Sequence, residues 1–324
     1  MLKKYSASLL ITILSFVISI GSIINNIFFL IYTNKLAHTD RAALDVADIN
    51  NVVIIHQLLS PLNLGWIFSS SYGAVNYLNW AVYILLLVGT VVYVASKNTK
   101  SILIRFVFSI IFLSNILSLV SSFLYYLFIK SFSLLKLKDI LIDVAFYIVH
   151  LFLIYISYKI LKYFNRKKAL QLEVVEVDRK TNSYFVKALM GQRFLHALTD
   201  AFTAIALFSP MLQMFTNFNM DHISRSLLQI HETWAEKNIW LLVVTARILY
   251  YLFFENTLAA TPGKLLTETR VIDYNEGAKP SFKNILLRTF SRLVPFEAFS
   301  FFADDGWHDK WSQTLVVKEE ASIK

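Results

Sequence analysis

An all-α polytopic membrane protein, with about six membrane-crossing helices and a short β-hairpin, is the fold the sequence predicts, and three observations carry that expectation. The 324 residues are 56% hydrophobic and only 16% charged, with a mean hydropathy of +0.54, too apolar and too charge-poor for an ordinary soluble domain. The apolar residues fall in runs of about 20, the length that crosses ~30 Å of hydrocarbon as a helix. The formal charge of +9 is carried by lysines and arginines beside those runs, which points to anionic lipid headgroups and not to nucleic acid.

Four runs occupy the first half: Leu9 to Tyr32, Val75 to Ala95, Phe106 to Phe128 and Ile140 to Leu161. Two more follow, Phe194 to Phe215 and Ile239 to Phe254, the last continuing to about Leu258. Ile285 to Ala303 is interrupted by Arg288, Arg292, Pro295 and Glu297, so it reads as an interfacial or re-entrant helix. Lys3 and Lys4 precede the first run as they would a signal peptide, but the run is long and lacks a small-residue cleavage site, so a retained anchor is expected. With an inward N-terminus, twenty lysines and arginines fall on inner segments and seven on outer ones, which predicts cytoplasmic termini.

The chain divides into a four-helix membrane region over 1–168, a cytoplasmic linker over 169–186, a second membrane domain over 187–318 and a tail over 319–324. In the linker, "LEVVEVDRKTNSYFVK" sets Val175, Val177, Tyr184 and Val186 on either side of the turn-forming Asp178 to Ser183, a β-hairpin pattern. The stretch from Asn34 to Gly73 has apolar residues at helical spacing and suggests a helix on the outer membrane face. His150, alone in an apolar helix, reads as a neutral, hydrogen-bonded core histidine before a proton relay.

The chemistry concentrates after Gly191. Arg193, His196, Asp200 and Thr203 lie at i, i+3, i+7 and i+10, one face of a helix. Seven residues set Asp200 ~10 Å from Arg193 along the axis, well into hydrocarbon, where an unpaired ion costs roughly 2.5–3.5 kcal/mol. Arg247, Tyr251 and Glu255 form a second stripe on the next helix. Matching depths on antiparallel helices predicts two pairs, Arg193 with Glu255 and Asp200 with Arg247. Such pairs serve either register or a cation or proton pathway centred on Asp200, with His196 one turn away.

Arg193, Asp200, and the motifs "ENTLAATPGKLLTETRVID", "EGAKPSFKNILLR" and "GWHDKWSQTLVV" resemble the RDD family of bacterial integral membrane proteins, over roughly Lys187 to Lys318. The resemblance maps the arginine and two aspartates of the family's name onto Arg193, Asp200 and Asp309. It adds Glu255, the turn Thr261, Pro262, Gly263 and Lys264, then Arg270, Gly277, Pro280, Ser281, Arg288 and the His308 to Lys310 group. It implies a multi-helix module proposed to transport an unidentified ligand, with some members associated with sodium/proton exchange. Two positions depart from the pattern: Glu268 and Gln313 stand where glycines are expected, which argues against close backbone packing there.

Other chemistries fit less well. Gly263-Lys264 lacks the upstream glycine and the hydroxyl residue of a phosphate-binding loop. "WHDKW" supplies His308 and Asp309 without a third metal ligand, and no elbow presents Ser300 as a nucleophile. Neither a cofactor, a metal site nor a catalytic set is expected. Trp307 and Trp311 read as interfacial anchors. Pro262 and Gly263 are expected to end the preceding helix, with Lys264 as a cytoplasmic surface charge. If the chain turns back after Pro295, Asp309 meets Arg193, Lys264 or Arg270. Two functions remain open: transport of a small cation or other solute through a site around Asp200, or a non-transporting scaffold that binds a membrane protein partner or a second copy of itself.

Overall fold

In a computed structural model of the chain, the structure describes residues 2–37, 56, 60–62, 77–128, 137–177, 180–221, 228–294, 300 and 306–321. Among them are six helices long and apolar enough to cross a membrane: α1 (Leu2–Ala37), α2 (Tyr77–Ala95), α3 (Ile102–Phe128), α4 (Leu137–Arg166), α5 (Met190–Asp221) and α6 (Leu228–Leu258). The stretch 34–73, expected to hold an outer helix, lies almost entirely outside the described residues.

The chain forms two compact units, one of residues 1–159 with 206–235 and the other of residues 160–205 with 236–324. The first is patterned inside-out relative to a soluble bundle. On α1, Ser8, Ser15, Ser19, Ser22 and Asn26 are buried, while Leu9, Leu10, Ile13, Val17 and Phe28 are exposed. Small polar side chains let helix backbones approach, and the apolar remainder faces lipid. The Ser8 hydroxyl lies 2.9 Å from that of Tyr93 on α2. A Cβ on Gly89 of α2 would sit 2.7 Å from that of Leu103 on α3, so the contact of these helices is made at a glycine. His150 has its Nδ1 2.9 Å from the Phe146 carbonyl, the hydrogen-bonded arrangement expected for a core histidine.

The second unit combines membrane helix segments with two small sheets. β2 (Leu172–Val177) and β3 (Lys180–Phe185) pair antiparallel, Leu172 opposite Phe185 and Val177 opposite Lys180, the hairpin expected, with Lys180 to Ser183 in the strand and not in the turn. The second sheet, ordered β1–β5–β4, was not foreseen. It sets β5 (Thr314–Ala321) between β1 (Lys168–Leu170) and β4 (Thr269–Asp273), both antiparallel to it. Residues read as linker and tail are thus joined: Ala169 opposes Glu320, and Leu170 opposes Glu319. Ile272, Leu315 and Val317 form its core, with Leu170 and Phe185 against them.

Three short helices complete the unit. Helix α6 ends at Leu258, followed by Ala259 at φ 56°. Thr261 then caps a new helix, α7 (Pro262–Leu266), its hydroxyl accepting from Lys264 N and Pro262 filling the first turn, where no donor is needed. The Thr-Pro-Gly-Lys stretch therefore opens a helix, and does not close the preceding one as expected. Ser281 caps α8 (Phe282–Ser291) in the same way. That helix turns its arginines inward: Arg288 and Arg292 are buried, whereas Phe282, Lys283, Leu287, Phe290 and Leu293 are exposed. A mostly apolar outer face suits an interfacial or re-entrant helix. The rest of the apolar stretch, 295–299 and 301–303, lies outside the described residues. α9 (Trp307–Ser312) leads into β5, with Trp307 and Trp311 stacked and exposed.

Glu268 and Gln313 adopt φ 52° and 50°, the left-handed region that costs a residue with a Cβ roughly 1–2 kcal/mol. This is the physical sense of the glycines expected at both places: the requirement is the backbone angle. The structure keeps the angle without the glycine, Glu268 through an ion pair with Lys168 and a carbonyl that accepts from Glu319 N at 2.7 Å. Gln313 is held by its own carbonyl, which accepts from Tyr274 N at 3.0 Å. Gly277 keeps its glycine at φ 65°, and a Cβ there would enter the Phe185 ring. Gly277→Ala should therefore lower stability by more than about 1 kcal/mol, partly restored by Phe185→Ala. Thermal unfolding in detergent checks this, and an unchanged midpoint would refute the packing described.

Candidate functional site, a buried ionic cluster

Three carboxylates organise the second unit. Asp200 on α5, 1% exposed, accepts from neutral donors: the Tyr250 hydroxyl (2.8 Å) and Gly263 N (2.8 Å) on Oδ1, and the Thr261 hydroxyl (2.6 Å) on Oδ2. Gly263 makes this possible, because a Cβ there would come within 2.9 Å of Oδ1 and 2.8 Å of the His196 carbonyl. The glycine of the turn is thus the point where the chain after α6 rests against α5.

Glu255, near the end of α6 and fully buried, is met by three cations. Lys264 Nζ donates to Oε1 at 2.8 Å, Arg292 donates to both oxygens at 2.7 and 3.3 Å, and Arg288 Nε lies 3.4 Å from Oε2. Arg292 also stacks 4.0 Å above the Tyr251 ring, a contact favoured by the ring's negative face. Burial pushes the Lys264 ammonium below lysine's ordinary value, and Glu255 opposes it. Lys264 is therefore an interior ion and not the surface charge expected of it.

Asp309 on α9 closes the arrangement. Its Oδ2 accepts from Arg193 Nη1 at 2.7 Å and its Oδ1 from Arg288 Nη1, which also donates to Thr314 Oγ1 at 2.6 Å. Burial alone would raise the Asp309 carboxyl, but Arg288, His308 and Arg193 together hold it below the usual carboxylate range. Arg193, one of the three cations expected to meet Asp309, does so. Arg270 instead pairs with Glu319 at 2.6 Å and donates to the Asn165 carbonyl.

The two pairs expected between α5 and α6 are not formed. Arg193 turns to Asp309, Glu255 takes its cations from α7 and α8, and Arg247 is exposed on its helix. Depth along two helices limits which groups can meet, but a third segment folded against them offers shorter paths. His196 Nε2 lies 3.0 Å from the Thr269 hydroxyl and also contacts that of Thr267, so it bonds to hydroxyls and not to an ion. Sequence reasoning left Arg292 and Tyr250 out of the site. Arg292 had a signal, its i+4 spacing from Arg288 on an otherwise apolar helix, whereas nothing marked Tyr250.

The cluster lines a partly open cavity of about 40 Å³, bordered by Arg193, His196, Asp200, Lys264, Arg288 and His308 among others. Among the described residues, no group of three or more His, Cys, Asp or Glu side chains could hold a metal ion.

Asp309→Asn should destabilise the protein by about 3–5 kcal/mol at neutral pH, since it leaves Arg193 and Arg288 without their shared anion. The carboxyl is depressed in the folded state, so its contribution is fully present above the unfolded value of about 3.9 and is lost as pH falls through the lower folded value. The gap in unfolding temperature between wild type and variant should therefore stay level from about pH 8 to 5 and close only below about pH 4. A gap that closes near neutrality would contradict the assignment.

No curated protein and no solved structure matches the chain. The model of the RDD family matches residues 187–304, which include Arg193, Asp200, Glu255, Lys264, Arg288 and Arg292, while Asp309 and β5 follow the matched stretch. With six helices long and apolar enough to span a membrane, this is a membrane protein whose C-terminal part, over residues 187–304, matches the RDD family model behind an N-terminal helical region.

Proposed function

We propose that the C-terminal module transports a small ion or solute across a bacterial inner membrane, coupled to proton movement at Asp200. The observation that carries this reading is the difference among the three buried carboxylates. Glu255 and Asp309 are held by guanidinium or ammonium groups, whereas Asp200 is held by two hydroxyls and one backbone N–H. A hydroxyl can turn from donor to acceptor, so Asp200 can take up a proton without breaking an ion pair. Lys264, Tyr250, Tyr251 and His196 are the charged or titratable groups around it. Ionisable groups carried within membrane-spanning helices are expensive and mark ion or proton pathways, and the charge bias of the loops supports a cytoplasmic cluster.

A second reading has its own support. The saturation of Glu255 and Asp309 by four basic side chains fits a clasp that fixes the C-terminal segments on α5 and α6, as a membrane scaffold or accessory protein would need.

Proteoliposomes loaded with a pH-sensitive dye separate the two. Transport predicts ion-dependent proton movement in wild type that is lost in Asp200→Asn while the unfolding temperature stays within a few degrees. Wild-type vesicles that move no protons under any imposed ion gradient would remove transport and leave the scaffold.

A further inference from the structure

We infer that the cavity within the ionic cluster binds one small monovalent anion, chloride or an oxyanion of similar size such as nitrate. The inference deepens the transport reading by naming the class of ion, yet binding itself does not depend on flux.

The charges of the cluster do not cancel. Arg193, Lys264, Arg288 and Arg292 face Asp200, Glu255 and Asp309, which leaves one positive charge when the histidines are counted as neutral. An isolated buried charge is costly in a low-dielectric interior. The donors do not cancel either. Arg193 Nη2 and Arg288 Nη2 are buried and meet no acceptor among the described residues, although a guanidinium carries five N–H donors. Both side chains line the cavity and are fixed through their Nη1 atoms on the same carboxylate, Asp309. Two guanidinium groups held in place, with donors to spare, make an acceptor site that suits a halide or a planar oxyanion.

Size and charge select among anions. About 40 Å³ is more than one water molecule needs and admits a small anion, and a single excess charge matches a monovalent ion better than sulfate or a phosphate monoester. The same geometry argues against a cation here: the oxygens of Asp200, Glu255 and Asp309 are already taken by protein donors. A proton added to Asp200 raises the positive excess by one, so proton and anion binding favour each other, and by linkage each does so by the same factor.

The test uses the full chain in an uncharged detergent without phospholipid, exchanged into sodium gluconate. Added chloride or nitrate at constant ionic strength should raise the unfolding temperature saturably, and ³⁵Cl NMR should show line broadening that nitrate competes away. Arg193→Lys keeps the charge and the reach to Asp309 but removes Nη2, and should weaken chloride binding about tenfold. Asp200→Asn should bind chloride more tightly and with less dependence on pH than wild type. Stabilisation that gluconate matches, with no broadening in wild type, overturns the inference whether or not the variants fold. Chloride binding without flux would remove transport alone, and proton-coupled flux without chloride binding would remove the anion site alone.

Discussion

The structure of the C-terminal unit depends on one constraint: a carboxylate carried to the buried end of a membrane helix must be met by cations that the helix itself does not supply. Glu255 sits on α6 with no exposure, and the nearest basic residue on that helix, Arg247, is exposed. Its partners come from the chain that follows. Lys264 reaches it because the chain reverses through Ala259 and restarts as α7, and Arg292 and Arg288 reach it because α8 turns its arginines inward. Removing one partner from a buried pair leaves an uncompensated ion, a larger loss than the net worth of the pair. The carboxylate therefore fixes where three segments lie.

Arg288 passes this order on. It touches Glu255 through Nε and Asp309 and Thr314 through Nη1, so the end of α6 is tied to α9 and to the first residue of β5. β5 then carries the β4 and β1 edges of the sheet, and Asp309 returns to Arg193 at the start of α5. Asp200 contributes differently, as an acceptor for Thr261 and Gly263 at the opening of α7. A glycine is required where backbone meets carboxylate, and a threonine both caps the helix and donates to Asp200.

Much of this was legible in the sequence, for reasons that differ by element. The six helices follow from runs of apolar residues whose length the bilayer dictates, and the hairpin from valines and a tyrosine flanking a polar turn. Arg193, Asp200 and Glu255 could be singled out because charge next to hydrocarbon is anomalous, whereas Lys264, Arg288 and Asp309 entered through the resemblance to the RDD family. Their pairing could not, since helical depth constrains only groups on straight neighbours, while Lys264, Arg288 and Asp309 arrive on the short helices that follow α6. β5 was missed because "TLVVKEEA" does not alternate and carries three charges, and its partners lie more than forty and about a hundred and fifty residues away in sequence. Glu268 and Gln313 were read as obstacles to packing, although the backbone angle can be held by hydrogen bonds and an ion pair in place of glycine.

A double-mutant cycle on Glu255 and Arg292, measured by reversible unfolding in detergent, tests the central claim most directly. If Glu255 anchors the segment after α6 through this contact, Glu255→Gln and Arg292→Gln each destabilise strongly, and the double variant is less destabilised than their sum by more than about 1 kcal/mol. Strict additivity, within about 0.3–0.5 kcal/mol, would show that the two side chains do not act on each other and would contradict the account.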